Sequence, residues 1–329
     1  MPRRWSASPL RQRPPACFRH ARFDAPRFRA VFVEEDQDPI ASLAPSLCAA
    51  HAFEPSRDSR PITIALRIAY DGKCFDAYAR DPGASTVEGH LIAALRHEGY
   101  LEESFKTGSR TDAGVSALEN VCKATLLRPH LKGLVPALQR HLPMGVWVTA
   151  AAEVMPHWNP RHANRRHYRY HALPRNEDLA VLQQACSAFV GRNDMRAFAK
   201  MEEGRNPERS VFAFKVQAHD GAWVFRVEGD GFLWNQVRRM VSAVLCVGRG
   251  EASVEDIVAG LRTGKTHPRF RLVSANGLVL ERIEYTSLHW DPQAGRLGPH
   301  FVARPFQDAH AGMLLGRHLQ GLAPWPDAS

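Results

Sequence analysis

The chain has 329 residues and a formal charge of +9, with 43 Lys and Arg against 34 Asp and Glu, and Arg far outnumbers Lys. That length supports one large or two ordinary domains whose core needs no disulfides, and the basic balance suits a polyanionic partner, most simply nucleic acid. Six scattered cysteines (Cys17, Cys48, Cys74, Cys122, Cys186, Cys246) contain no Cys-x-x-Cys pair, which excludes a zinc knuckle and a disulfide scaffold. No apolar run approaches the roughly 18 residues of a bilayer span, and the basic N-terminus lacks the apolar core of a secretory signal, so a cytoplasmic protein is expected.

Residues 1–60 are rich in Pro, Arg, Ala and Ser and show no sustained period, so they are expected to be a disordered arm or a stretch upstream of the true start. Regular patterning begins at Ile62, where Ile62, Ile64, Leu66, Ile68 and Tyr70 alternate with smaller or polar residues as in a half-buried strand. Asp71-Gly72 turns the chain. Ser85-x-x-Glu88 reads as a capping box, opening a helix with Val87, Leu91, Ala94 and Leu95 on one face, which Gly99 closes.

The loop Gly108-Ser-Arg-Thr-Asp-Ala-Gly-Val-Ser-Ala117 follows. Its glycines permit a sharp turn that would hold Asp112 at the floor of a cleft, although Asp and Gly are also ordinary turn residues. A strand is predicted over Val121–Leu127, an amphipathic segment over Leu131–Leu138 weakened by Pro136, and a strand near Val146–Val154. If Tyr168–Leu173 is a strand, Tyr168 and Tyr170 share one face. Of the four histidines here (His157, His162, His167, His171), His167 and His171 would lie about 13 Å apart along a strand, too far for one tetrahedral ion. No metal is expected.

A helix capped near Asp178 is predicted to stop at Gly191, and strands over Ser210–Gln217 and Trp223–Val227 join at Asp220-Gly221. From Leu233, the positions Val237, Met240, Val241, Val244 and Leu245 repeat as a helix face, with Arg238 and Arg239 beside it. Ser253-x-x-Asp256 caps a further helix ending at Gly264, and Leu278–Tyr285 reads as a last strand. Gly260-Leu-Arg-Thr-Gly264-Lys265-Thr266 falls one residue short of a P-loop and closes a helix instead of opening one, and Gly229-Asp-Gly231 lacks the third glycine of a dinucleotide loop, so no nucleotide cofactor is expected.

Strands and helices thus alternate in two similar halves, and several blocks resemble the tRNA pseudouridine synthase A family, most of all its archaeal members. They are Tyr70-Asp-Gly with Phe75 and Thr86-Val-Glu88; Gly108-Ser-Arg-Thr-Asp-Ala-Gly-Val; Leu142-Pro143; Arg161-x-Ala163-x-x-Arg166-x-Tyr168-x-Tyr170; Asp230-Gly-Phe-Leu with Val237-Arg238; and Gly277-Leu-x-Leu280. Departures are Ala77 and Ala79, where the family often has Gly and Gln, and Ser116, where many members have His.

The resemblance, over about 62–285, implies an α+β fold of two ferredoxin-like halves forming a joined antiparallel sheet, with helices on one side and a central cleft. The resemblance says nothing about the ends of the chain; the divisions expected are an arm (1–60), a catalytic half (61–163), a second half (164–290) and a tail (291–329). It implies isomerisation of uridine to pseudouridine in the tRNA anticodon arm, at positions 38, 39 and 40, by a homodimer without cofactor or metal. Asp112 would be the catalytic carboxylate, as nucleophile or base. Arg238 would pair with it, Tyr168 would pack on the target base and Arg110 would hold the displaced stem. The competing class is a non-catalytic RNA-binding protein, which has no use for an acid that repels phosphate.

Overall fold

The computed structural model describes residues 57–219 and 221–295. The expectations for residues 1–56, for the tail beyond 295, for Cys17 and Cys48, and for Asp220 of the predicted turn lie outside the described residues.

The first half runs β1 (Arg60–Tyr70), α1 (Val87–Arg96), β2 (Lys106–Thr107), β3 (Ser116–Arg128), α2 (Leu134–Gln139) and β4 (Val146–Glu153). The second runs β5 (Arg165–Ala172), α3 (Leu179–Ser187), β6 (Gly191–Asp194), β7 (Glu208–His219), β8 (Ala222–Gly229), α4 (Gln236–Gly248), α5 (Val254–Thr263) and β9 (Leu278–Glu284). All the strands belong to one mixed α+β sheet in the order β4-β1-β3-β9-β5-β8-β7-β6, with β2 on β3.

Every pairing is antiparallel except the joint, where β3 and β9 run parallel over Ser116–Val279 and Ala117–Leu280. The joint therefore corrects the expectation of a wholly antiparallel sheet. Both strands start from the same place: a Cβ on Gly114, just before β3, would sit 2.6 Å from Asn276 Oδ1, just before β9. After two residues β3 leaves β9, and its same edge takes β2 at Lys123 and Cys122. The sheet divides there, and the chain between β2 and β3 is the Asp112 loop.

β1 is buried on both faces, with Ala65 and Ala69 as covered as Ile64 and Leu66, and Thr63 buried beside them. The predicted half-burial fails partly because the chain beyond β9 returns. Trp290 lies 5.4 Å from the Arg67 guanidinium, and the Asp291 amide bonds to the Ala151 carbonyl on β4. α1 starts at Val87, not on the predicted Ser85 box. Asp76 takes the Ser85 amide, so Thr86 caps the helix through the Gly89 amide, while Glu88 accepts from the Arg80 amide. The Ser253–Asp256 box on α5 forms as predicted, and Gly264 closes that helix at φ 71°. α4 is buried around most of its circumference, an apolar rod on which α3 packs.

Candidate active site

The Asp112 loop is shaped by close approach at Gly72 and by a positive φ at Gly114. A Cβ at Gly72 would meet the Val115 carbonyl oxygen at 2.2 Å, so the turn after β1 admits no side chain beneath the loop. The Gly72 amide donates to Ser116 Oγ at 3.1 Å, and Ser116 Oγ donates to Asp71 Oδ1 at 3.4 Å, so this residue ties the two turns together. Gly114 holds φ 84°, and the Val115 amide closes the turn on the Asp112 carbonyl at 3.1 Å.

Asp112 does not spend its carboxylate on that turn. Its Oδ2 accepts from Arg238 Nη1 at 2.7 Å, with the two side chains 22% and 12% exposed. Arg238 is held from two further sides, donating from Nη1 to Asn235 Oδ1 at 3.0 Å and from Nε to the Val273 carbonyl at 2.9 Å. Asn235 stands before α4 at φ 63°, a conformation Asn tolerates, and its side chain serves Arg238 instead of capping the helix.

A chain of hydroxyls and one amide fixes the loop from below. Tyr70 OH meets Thr111 Oγ1 at 2.8 Å, and fully buried Asn120 donates to Tyr70 OH at 3.3 Å and to the Ser109 carbonyl at 2.8 Å. Ser109 Oγ meets Tyr168 OH at 2.8 Å. Tyr168 is only 6% exposed and sits edge-on to Phe232, with ring centroids 5.3 Å apart. Burial raises the Tyr168 phenol above its usual range, and it pushes Tyr170 up to about 12 against the opposing field of Arg238, so both rings stay neutral. Arg110, between the two clamped residues, is exposed and makes no hydrogen bond or ion pair with the described residues.

The structure thus brings Asp112 and Arg238 together, places Tyr168 against the same loop and leaves Arg110 pointing outward. The sequence reading missed Tyr70, Ser109 and Asn120 as loop supports, and Arg166. Arg166 is buried and donates from Nη2 to the Gly108 carbonyl at 3.2 Å and the Arg161 carbonyl at 2.9 Å, and from Nη1 to the Asp230 carbonyl. One guanidinium therefore joins three loops. Arg166→Ala should strand those carbonyls and cost roughly 3 kcal/mol, a fall of about 6–12 °C in melting temperature read by calorimetry. An unchanged melting temperature would show that the three loops hold without it.

Among the described residues no cluster of His, Cys, Asp and Glu has the arrangement of a metal site, and no helix is long and apolar enough to cross a membrane. Cys122, Cys186 and Cys246 are buried free thiols.

A family model described as tRNA pseudouridine synthase matches residues 185–286, the stretch that carries Arg238 but not Asp112. Curated relatives named tRNA pseudouridine synthase A match across both halves. The protein of Thermococcus kodakarensis is 39% identical over 234 residues, covering 69% of this chain and 86% of its own length. That of Methanoculleus marisnigri is 38% identical over 229 residues, covering 68% and 83%. Among solved structures, a chain of a Cbf5-Nop10-Gar1 complex aligns over 74% of this chain and 77% of its own at 12% identity, with a TM-score of 0.28, too loose to carry an argument. These relatives and the family model place the chain among the pseudouridine synthases, which are isomerases. It belongs to the tRNA pseudouridine synthase A family.

Proposed function

We propose that this chain converts uridine to pseudouridine in the anticodon stem-loop of tRNA, at positions 38, 39 and 40, with Asp112 as the reacting carboxylate. The observation that carries this reading is the Arg238–Asp112 contact, 126 positions apart in sequence, which puts one partly exposed carboxylate against a guanidinium held in place by two other groups. The isomerisation breaks the N1–C1′ bond, turns the uracil, forms a C5–C1′ bond and moves the C5 proton to solvent while N1 gains one. Asp112 serves either as nucleophile at C1′ or as base at C2′, and Arg238 holds it aimed through a charge-assisted hydrogen bond. Tyr168 supplies an aromatic floor for the flipped base. Arg110, exposed and without a partner among the described residues, holds the displaced stem. These residues need no metal or cofactor for this chemistry.

The architecture that suits this reading is a pair of ferredoxin-like halves, 61–163 and 164–290, around the cleft where β3 leaves β9. The strand orders β4-β1-β3-β2 and β9-β5-β8-β7, each with a β-α-β-β-α-β chain path apart from the added β6 and α5, support it. The arm, 1–60, and the tail, 291–329, stand outside these halves except that Arg60 opens β1 and Asp291 bonds to Ala151 on β4, and the working form is a cytoplasmic homodimer. Base-resolved mapping of pseudouridine in an unmodified tRNA transcript, after incubation with the protein, tests the assignment. Conversion confined to positions 38–40 is expected; conversion only outside the anticodon arm would overturn it.

A further inference from the structure

Beside the Asp112–Arg238 pair lies an open cavity of about 950 Å³ that the pair does not use. Its walls are the end of β5 with the chain that follows, the second half of α4, and residues 269–274 leading towards β9. It shares a wall with the carboxylate site. Val273, whose carbonyl receives Arg238 Nε at 2.9 Å, and Tyr170, which feels the Arg238 charge, both line it.

The charge of the lining is uneven. Arg249 binds both of its acids, reaching Glu177 Oε1 at 3.2 Å and Glu251 at 2.6 and 3.1 Å. Glu177 also accepts from the Arg175 amide at 2.7 Å and from Trp223 Nε1 at 3.1 Å. Three exposed arginines, Arg175, Arg269 and Arg271, remain around these spent carboxylates, so the cavity carries an excess of two positive charges. Between them stand two exposed apolar side chains, Leu173 at 70% and Leu272 at 42%. Cations ringed around a greasy surface match a unit with a flat apolar body and one anionic edge. The volume lies at the upper end of the roughly 300–1,000 Å³ of small-ligand pockets. Among the described residues no glycine lines it, and Gly264 of the P-loop lookalike closes α5 instead. Side chains alone would meet the anion, which suits single phosphodiesters better than a di- or triphosphate.

Building on the pseudouridylation reading, we propose that this cavity is a nucleotide subsite of the same active site. It takes the base and ribose of a residue flanking the reacting uridine against Leu173 and Leu272, with its phosphodiester facing Arg175, Arg269 and Arg271.

The test is binding and single-turnover conversion of an anticodon-arm RNA across a salt series, with Arg175→Ala, Arg269→Ala, Arg271→Ala and the triple variant. All three side chains are exposed, so folding should survive, and melting temperature checks it. Each single change should weaken binding about 3- to 10-fold and leave the saturating single-turnover rate within about twofold. The triple variant should flatten the slope of log Kd against log salt by about one, as expected for the loss of one phosphate contact. Arg262→Ala, exposed on α5 but off the cavity, should leave that slope unchanged. A triple variant with wild-type affinity and slope overturns the subsite. Wild-type protein that binds the RNA with the predicted arginine dependence but forms no pseudouridine would overturn the reaction and leave the subsite standing.

Discussion

Asp112→Asn should lower the single-turnover rate of pseudouridine formation by about 10⁴-fold or more, equivalent to roughly 5.5 kcal/mol of barrier. The substitution keeps the side chain's size and still offers an oxygen to Arg238 Nη1, so the loop clamped through Ser109 and Thr111 keeps its shape. It loses the charge, and with it both chemical roles open to the group: an amide neither attacks C1′ nor takes a proton from C2′. Folding should change by no more than about 1 kcal/mol, because one charge-assisted bond becomes an ordinary one. RNA affinity should hold or rise, since a negative charge facing phosphate is gone. Loss of activity together with loss of RNA binding would mark Asp112 as an organiser of the binding surface instead of the reacting group.

Arg238→Ala is the second large effect. It removes the contacts to Asp112, Asn235 and Val273 together, leaving the carboxylate and the Val273 carbonyl without that partner. Breaking a largely buried pair from one side should cost about 2–4 kcal/mol of stability. Activity should fall about 10²- to 10³-fold, less than for Asp112→Asn, because the acid remains present though poorly aimed. Arg238→Lys discriminates charge from geometry. A single ammonium keeps the charge but cannot span the directions that Nη1 and Nε serve, so it should recover only part of the rate. Kinetics of both variants at saturating RNA check this, and full activity in Arg238→Lys would show that the fork is unnecessary.

Period and capping made most of the sheet and four of the five helices readable from the sequence, while α2 stayed weak at Pro136. Strongly alternating β1 and the Ser253 box of α5 are local signals, and local signals survive into the fold. The two- and four-residue strands β2 and β6 are too short to show a period. The Thr86 cap was displaced by one residue because Asp76, nine positions before Ser85, claims its amide. A similar limit governed the site. Asp112 stood out through its glycine-flanked loop, but nothing in local spacing ties it to Arg238; only the family resemblance did so. Asn120 lies within an apolar strand, and Arg166 is one arginine among many. Asn120 serves the Ser109 carbonyl across a strand pairing, and Arg166 the carbonyls of Gly108 and Asp230, 58 and 64 positions away, which no local window of sequence contains.

In the proposed reaction the Asp112 carboxylate drives exchange of the N1–C1′ bond for a C5–C1′ bond in tRNA. That exchange must release the hydrogen of C5. The most direct measurement is therefore tritium release from tRNA labelled with [5-³H]uridine, followed in a single turnover with the wild type and Asp112→Asn at matched RNA occupancy. The wild type should release tritium in step with the number of pseudouridines formed, and the variant none above background. Release by Asp112→Asn at a rate near that of the wild type would show that Asp112 is not the reacting carboxylate.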